Sequence, residues 1–292
     1  MCVGLAALLV GVTFIGQGTA WHDPDNLGLF GIALISMAAF VWQEQRAVEP
    51  IVPLGLFRNA TVAISCTILF IAFFQIVSLT VLIPLRLQML TDAGADGAAY
   101  QLVPLTLAVP LGAYVGGRLT TRTGHYKRIQ LVGTAIVPLT VLTLAFLDLH
   151  STWLSVVCMA VTGGALGLQL PTSMVAVQNA VQHRYVGIAT AVTVFARSLG
   201  AAVGIAILMA ILLAILGENA PAAAGGLSGA EIIKAMVGDT LVAMAPAASA
   251  ELSAVVQGAF EKVFMISAAV ASMSFLLGSL IPDNLLSDRL GH

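Results

Sequence analysis

The sequence predicts an all-α integral membrane fold of eight transmembrane helices, and three observations carry that expectation. Only 9% of the 292 residues are charged and 59% are hydrophobic, with a mean hydropathy of +1.00. A soluble domain carries charge on about a quarter of its residues and needs it as surface cover, so the solvent for most of this chain is lipid. Eight apolar runs, near 2–19, 27–43, 61–88, 98–117, 129–147, 153–177, 187–216 and 262–281, meet the length of roughly 20 residues that a spanning helix needs. Acidic and basic connections alternate after each run without a break.

The elements follow in order. The first run lacks the basic leader and small-residue cleavage site of a signal peptide, and a second apolar run follows closely. It reads as a true span. The turn after it holds Asp23 and Asp25, and the next connection Arg46 and Arg58. Asp92 and Asp96 follow, with Arg86 at the edge of its span. The connection "GGRLTTRTGHYKR" (116–128) then gathers Arg118, Arg122, Lys127 and Arg128, four of twelve basic residues in the chain. Asp148 lies in the next turn and Arg184 in the one after, while 217–261 holds five carboxylates against Lys234. By the positive-inside rule, both termini and the 116–128 loop are expected in the cytoplasm of a multi-pass plasma (inner) membrane protein. The "SGAE" stretch at 228–231 forms a capping-box pattern, so a short amphipathic helix is expected within 217–261.

Motifs resolve the class further. "GGRLTTRTGHYKR" resembles the Gly-x-Leu-x-x-Arg-x-Gly-x-x-Lys/Arg loop of the major facilitator superfamily, carried here by Gly117, Arg118, Arg122, Gly124, Lys127 and Arg128. The Asp that often precedes the loop's Arg is Thr121 here, which weakens a gating charge relay. "EPIVPLGLFRN" (49–59) is similar to the linker before the C-terminal bundle of fourteen-helix drug:proton antiporters of the EmrB/QacA type. "TGGALGLQLPTSMVAVQNAV" (162–181) resembles their Gly-rich helix, with Gly163 and Gly167. "GIATAVTVFARSLGAAVGIAI" (187–207) resembles their penultimate helix, with an Arg-x-x-Gly-x-x-x-Gly core at Arg197, Gly200 and Gly204.

That resemblance implies helices 7 to 14 of such a transporter. Residues 1–48 are then a two-helix linker hairpin, 49–60 a cytoplasmic linker, and 61–282 a six-helix bundle with an extracytoplasmic loop at 217–261. Residues 283–292 form a cytoplasmic tail. The first six helices are expected to be missing. The implied function is secondary active transport, with proton-coupled export of small amphipathic or drug-like compounds. Export of a specific metabolite, peptide or lipid is the alternative, as is a truncated, non-transporting membrane protein.

Candidate site residues follow from charge and polarity inside the spans. Arg197 lies roughly 15 Å into an apolar helix, where an Arg costs about 2.5–3.5 kcal/mol on insertion scales and must face protein or water. Gln75, with Phe73 and Phe74 beside it, stands near mid-depth, and Gln169 sits on a helix that the resemblance places along the central cavity. Apolar walls with few polar fixings suit amphipathic ligands. Gly163, Gly167, Gly200 and Gly204 present small faces for helix packing. No P-loop, HExxH or GxSxG occurs, so no catalytic residue, cofactor, metal or nucleic-acid partner is expected. The three cysteines stand apart in apolar runs as small hydrophobes. No Asp or Glu falls within any of the eight runs, so proton coupling is expected to use carboxylates of the missing half.

Overall fold

The computed structural model describes residues 4, 6–7, 10–11, 14, 23–46, 54–91, 95–147, 152–219, 229–237 and 246–281. Among them are eight α-helices and no strand. These are α1 (Pro24–Arg46), α2 (Ala60–Leu90), α3 (Ala95–Thr123), α4 (Tyr126–Phe146), α5 (Thr152–Ala180), α6 (Val186–Asn219), α7 (Gly229–Val237) and α8 (Pro246–Ser279). Six of them, α2 to α6 and α8, are long and apolar enough to cross a membrane. The run expected at 27–43 forms α1. Most of the run at 2–19 lies outside the described residues, although Gly11 sits against Leu29 and Phe30 of α1.

The six long helices form two triplets, α2-α3-α4 and α5-α6-α8, which pack by a swapped rule. The first helix of each triplet packs on the second of the other, α2 on α6 and α5 on α3. The two third helices, α4 and α8, pack together, and the two first helices meet between the triplets. This is the contact pattern that a pseudo-two-fold relation produces. Short loops reverse the chain between successive helices. Gly124 has φ +68 at one such reversal, a left-handed conformation that glycine adopts without a Cβ penalty. The helix before it runs through Gly116 and Gly117 to Thr123, past the end of the apolar run at 117. Pro84, Pro104, Pro110, Pro138 and Pro171 all lie inside helices, which neighbouring helices make tolerable in membranes.

Close approach of backbones fixes the two swapped pairs. Gly112 of α3 packs on Gly164 and Gly167 of α5, Gly116 on Leu168, and Gly163 on Leu105 and Ala108, and a Cβ on Gly112, Gly163 or Gly167 would run into a backbone carbonyl of the facing helix. Gly200 and Gly204 of α6 meet Phe70 and Phe74 of α2 in the same way, with a Cβ on Gly204 only 2.8 Å from the Phe74 carbonyl oxygen. The i, i+4 spacing puts each glycine pair on one face, which permits the tight packing that membrane helices use in place of a hydrophobic drive. Asn59 ties a further junction. Its side chain accepts from the Thr61 N–H as the cap of α2, and its Nδ2 donates to the Ala180 carbonyl at the end of α5 at 3.0 Å.

One boundary differs from the hydropathy reading. Helix α8 begins at Pro246, well before the run expected at 262, and the apolar stretch long enough to span covers Glu251–Ser279. Glu251 and Glu261 therefore lie on a candidate span, which corrects the expectation that no carboxylate does. The short amphipathic helix of the 217–261 segment is α7. Its Gly229 presses on the Leu213 carbonyl of α6, and Ile232 is buried in the bundle.

Candidate functional site

Polar side chains collect at three depths of the bundle. Near the end that carries the 118–128 loop, Gln130 of α4 donates to the Ser173 hydroxyl of α5 at 2.9 Å, both fully buried. Thr134 and Thr172 are buried on the same two helices. At mid-depth, Gln75 of α2 and Ser267 of α8 are joined twice. The Gln75 amide donates to the Ser267 carbonyl at 2.6 Å, and the Ser267 hydroxyl donates to the Gln75 Oε1 at 2.6 Å. At the far end lies Arg86.

Arg197 has a different setting. Its guanidinium carbon stands 4.4 Å from the centroid of the Phe73 ring, a cation–π distance. No hydrogen-bond acceptor meets it among the described residues. Both side chains are half-buried. Five N–H donors therefore stand ready at a depth of roughly 16 Å into α6, on a face formed jointly by α2 and α6. That arrangement can offer a forked donor to a carboxylate, carbonyl or phosphate, with an aromatic plane beneath it.

The four residues expected to line a cavity do not form one cluster. Arg197 joins Phe73. Phe74 is buried in the seam against Gly204. Gln75 turns to α8, with both ends of its amide used. Gln169 is buried, its amide directed at the Ala165 carbonyl of its own helix at 3.4 Å, and its Cγ lies near Gly133 of α4. Of the loop residues, Arg118 donates to the Tyr114 hydroxyl at 2.7 Å and lies over that ring at 6.0 Å. Arg118, Arg122 and Arg128 are exposed and Lys127 half-buried. Gly117 has only the Pro171 side chain nearby, at 3.8 Å; Gly112 and Gly116 make the close approach.

Sequence reading passed over Arg86. It is 7% exposed, and its Nη1 and Nη2 donate to the Leu144 and Leu147 carbonyls at 2.6 and 3.2 Å. These carbonyls end α4, where the helix dipole is negative and a cation is favoured. The guanidinium also stands 5.7 Å from the Phe264 ring centroid. A charge at the edge of an apolar run reads as a solvated end, and nothing in the run itself marks it as buried. Its burial comes from α4 and α8, elements distant in sequence.

A bundle of six helices long and apolar enough to cross a membrane, packed as two swapped triplets, defines a multi-pass membrane protein. The model of the Major Facilitator Superfamily matches residues 1–205, and the chain belongs to that family. It is a transporter-family protein and not an enzyme. The Multidrug transporter protein MdtP of Bacillus subtilis is 29% identical over 201 residues, covering 68% of this chain and 37% of that protein. An MFS-type transporter of Mycobacterium tuberculosis is 25% identical over 293 residues, 99% of this chain and 42% of its own length. The MFS-type efflux transporter phmH of Phaeosphaeria nodorum is 30% identical over 199 residues, 66% of this chain and 35% of that protein. The chain thus spans about 40% of the length of the curated relatives it matches. A crystal structure of a bacterial homolog of the human lysosomal transporter Spinster, inward-facing and unoccupied, aligns over 94% of this chain and 64% of its own. The TM-score is 0.55 at 15% identity, a likeness of fold alone.

Proposed function

We propose that this chain is the C-terminal half, with its linker hairpin, of a proton-coupled exporter of drug-like compounds of the EmrB/QacA type. The observation that carries the reading is Arg197, laid over Phe73 at mid-depth with no hydrogen-bond acceptor on it among the described residues. A charge so costly in lipid is kept where it meets a partner, and a secondary transporter places substrate and coupling sites near the midplane at the interface of its repeats. The swapped triplets have the three-plus-three plan of such a bundle. A multidrug name and an efflux name among the relatives support the substrate class and the direction, and their greater length supports a second half elsewhere. The alternation of basic and acidic connections supports cytoplasmic termini and a cytoplasmic 118–128 loop.

In this account the α2–α6 face meets the other half of the transporter. Alternating access is then one half rocking against the other, with Arg197 in contact with substrate or with a carboxylate from across the interface. The test is efflux of a fluorescent amphipathic dye from cells producing the complete transporter with Arg197→Ala. Efflux is expected to fall to near background at equal membrane abundance. Unchanged efflux would leave Arg197 as a packing residue and remove the reading's support.

A further inference from the structure

Arg86 is a buried cation that the bundle solvates but does not neutralise. Leu144 and Leu147 lend it their carbonyls and Phe264 its ring, and none of these groups carries a charge. Among the described residues no carboxylate stands within 4.0 Å of it, and Glu261 of α8 acts on it only from further off. A buried charge in that state is costly, and proteins ordinarily pair it. The Arg86 Nε is also buried, with no acceptor.

The guanidinium borders a cavity of about 30 Å³, where α2, α3, α4, α5 and α8 converge. None of the nine lining residues is acidic. The polar ones are Arg86, Gln101 of α3 and Ser155 of α5, and each brings an N–H or O–H donor. The Gln101 amide makes no hydrogen bond among the described residues. Ser155 lies in the first turn of α5, where the helix dipole adds positive potential. The negative end of α4 is already turned on the guanidinium through Leu144 and Leu147. A single water needs ~10–15 Å³, so the space suits about two waters or one halide ion. It is too small for sulfate or an organic acid. Water would fill it without removing the charge, whereas an anion does both. Gln101 and Ser155 are half-buried, which leaves a way in from the end of the bundle opposite the 118–128 loop.

We propose that this cavity is a binding site for one small monovalent anion, chloride in ordinary solution. The ion accepts hydrogen bonds from the Arg86 Nε, the Gln101 amide and the Ser155 hydroxyl. It neutralises the buried cation and ties α2, α3 and α5 together at that end of the bundle. The stability of this chain therefore depends on halide. The site lies within one chain, and the proposal stands apart from the transport reading.

The test is equilibrium binding of radiolabelled chloride to the purified 292-residue chain in detergent. Ionic strength is held constant with gluconate, and helix content is checked by circular dichroism. The wild type is expected to bind chloride saturably, with displacement by bromide and not by sulfate. Gln101→Leu, at a half-buried position that folding does not need polar, is expected to weaken binding about tenfold or more, as losing a hydrogen bond to a charged group predicts. Arg86→Lys, which lacks the Nε donor, is expected to weaken it as much. Arg184→Gln removes an exposed cation elsewhere and is expected to bind as the wild type does. Chloride is also expected to raise the thermal midpoint of the wild type and not that of Gln101→Leu. Absence of saturable chloride binding by the folded wild type would leave the cavity to water and overturn the proposal. Binding unchanged in both Gln101→Leu and Arg86→Lys would overturn it as well, by placing the ion on another cation.

Discussion

The planar fork of the Arg197 guanidinium separates its two possible roles. On Phe73 a lysine keeps the cation–π contact, so a role confined to that ring predicts that Arg197→Lys retains most activity. A role toward a carboxylate or substrate acceptor requires two parallel N–H donors, which an ammonium cannot reproduce. The expected outcome is that Arg197→Lys loses transport almost as fully as Arg197→Ala, roughly ten- to hundredfold, the equivalent of about 1.5–3 kcal/mol for hydrogen bonds to charged groups. Initial efflux rates at matched membrane abundance check this, and near-wild-type rates in Arg197→Lys would assign the residue to the ring alone. Gln75 belongs to stability instead. Ser267→Ala leaves its Oε1 buried and unpaired, a loss of about 1–3 kcal/mol, to be read as a lowered midpoint of thermal unfolding in detergent. Arg197 was legible in sequence because one charge interrupts an apolar run. The partner of Gln75 was not, since Ser267 lies 192 residues away and a serine in a membrane helix carries no signal of its own. Arg86 was missed for the same reason.

Helix identity was legible because hydropathy reports which segments sit in lipid, and six apolar runs became six long helices. Hydropathy does not report where a helix continues into water. The residues before 262 include Ala, Glu, Leu and Gln, which favour helix, so α8 extends past the apolar run and carries Glu261 into the bundle. Packing faces were partly legible. The i, i+4 glycines of α5 and α6 were visible in sequence, whereas Gly112 and Gly116 gained their role only from the α5 backbone that faces them, at Gly164 and Leu168. Gly167→Val and Gly200→Val each drive a side chain into a facing backbone and are expected to abolish the folded protein or lower its unfolding midpoint sharply. Gly164→Ala and Gly258→Ala meet nothing within 4 Å and are expected to match the wild type. Equal behaviour of the two sets, read by fluorescence-detected size-exclusion and thermal unfolding, would refute the glycine seams.

For the whole molecule the account has two parts, an orientation and a division of labour. With the basic connections inside, single cysteines at Thr123 and Ser228 are expected to react oppositely with an impermeant thiol reagent applied to intact cells. Labelling at both, or at neither until the cells are broken, would reject that orientation. The division of labour is the central claim: a half-transporter with Arg197 on an open face, which transports only across from a second half. Its most direct test is dye efflux from liposomes that contain this 292-residue chain and no other protein, under an imposed pH gradient. The account predicts a rate equal to that of protein-free liposomes; saturable, gradient-driven efflux by the chain alone would contradict it.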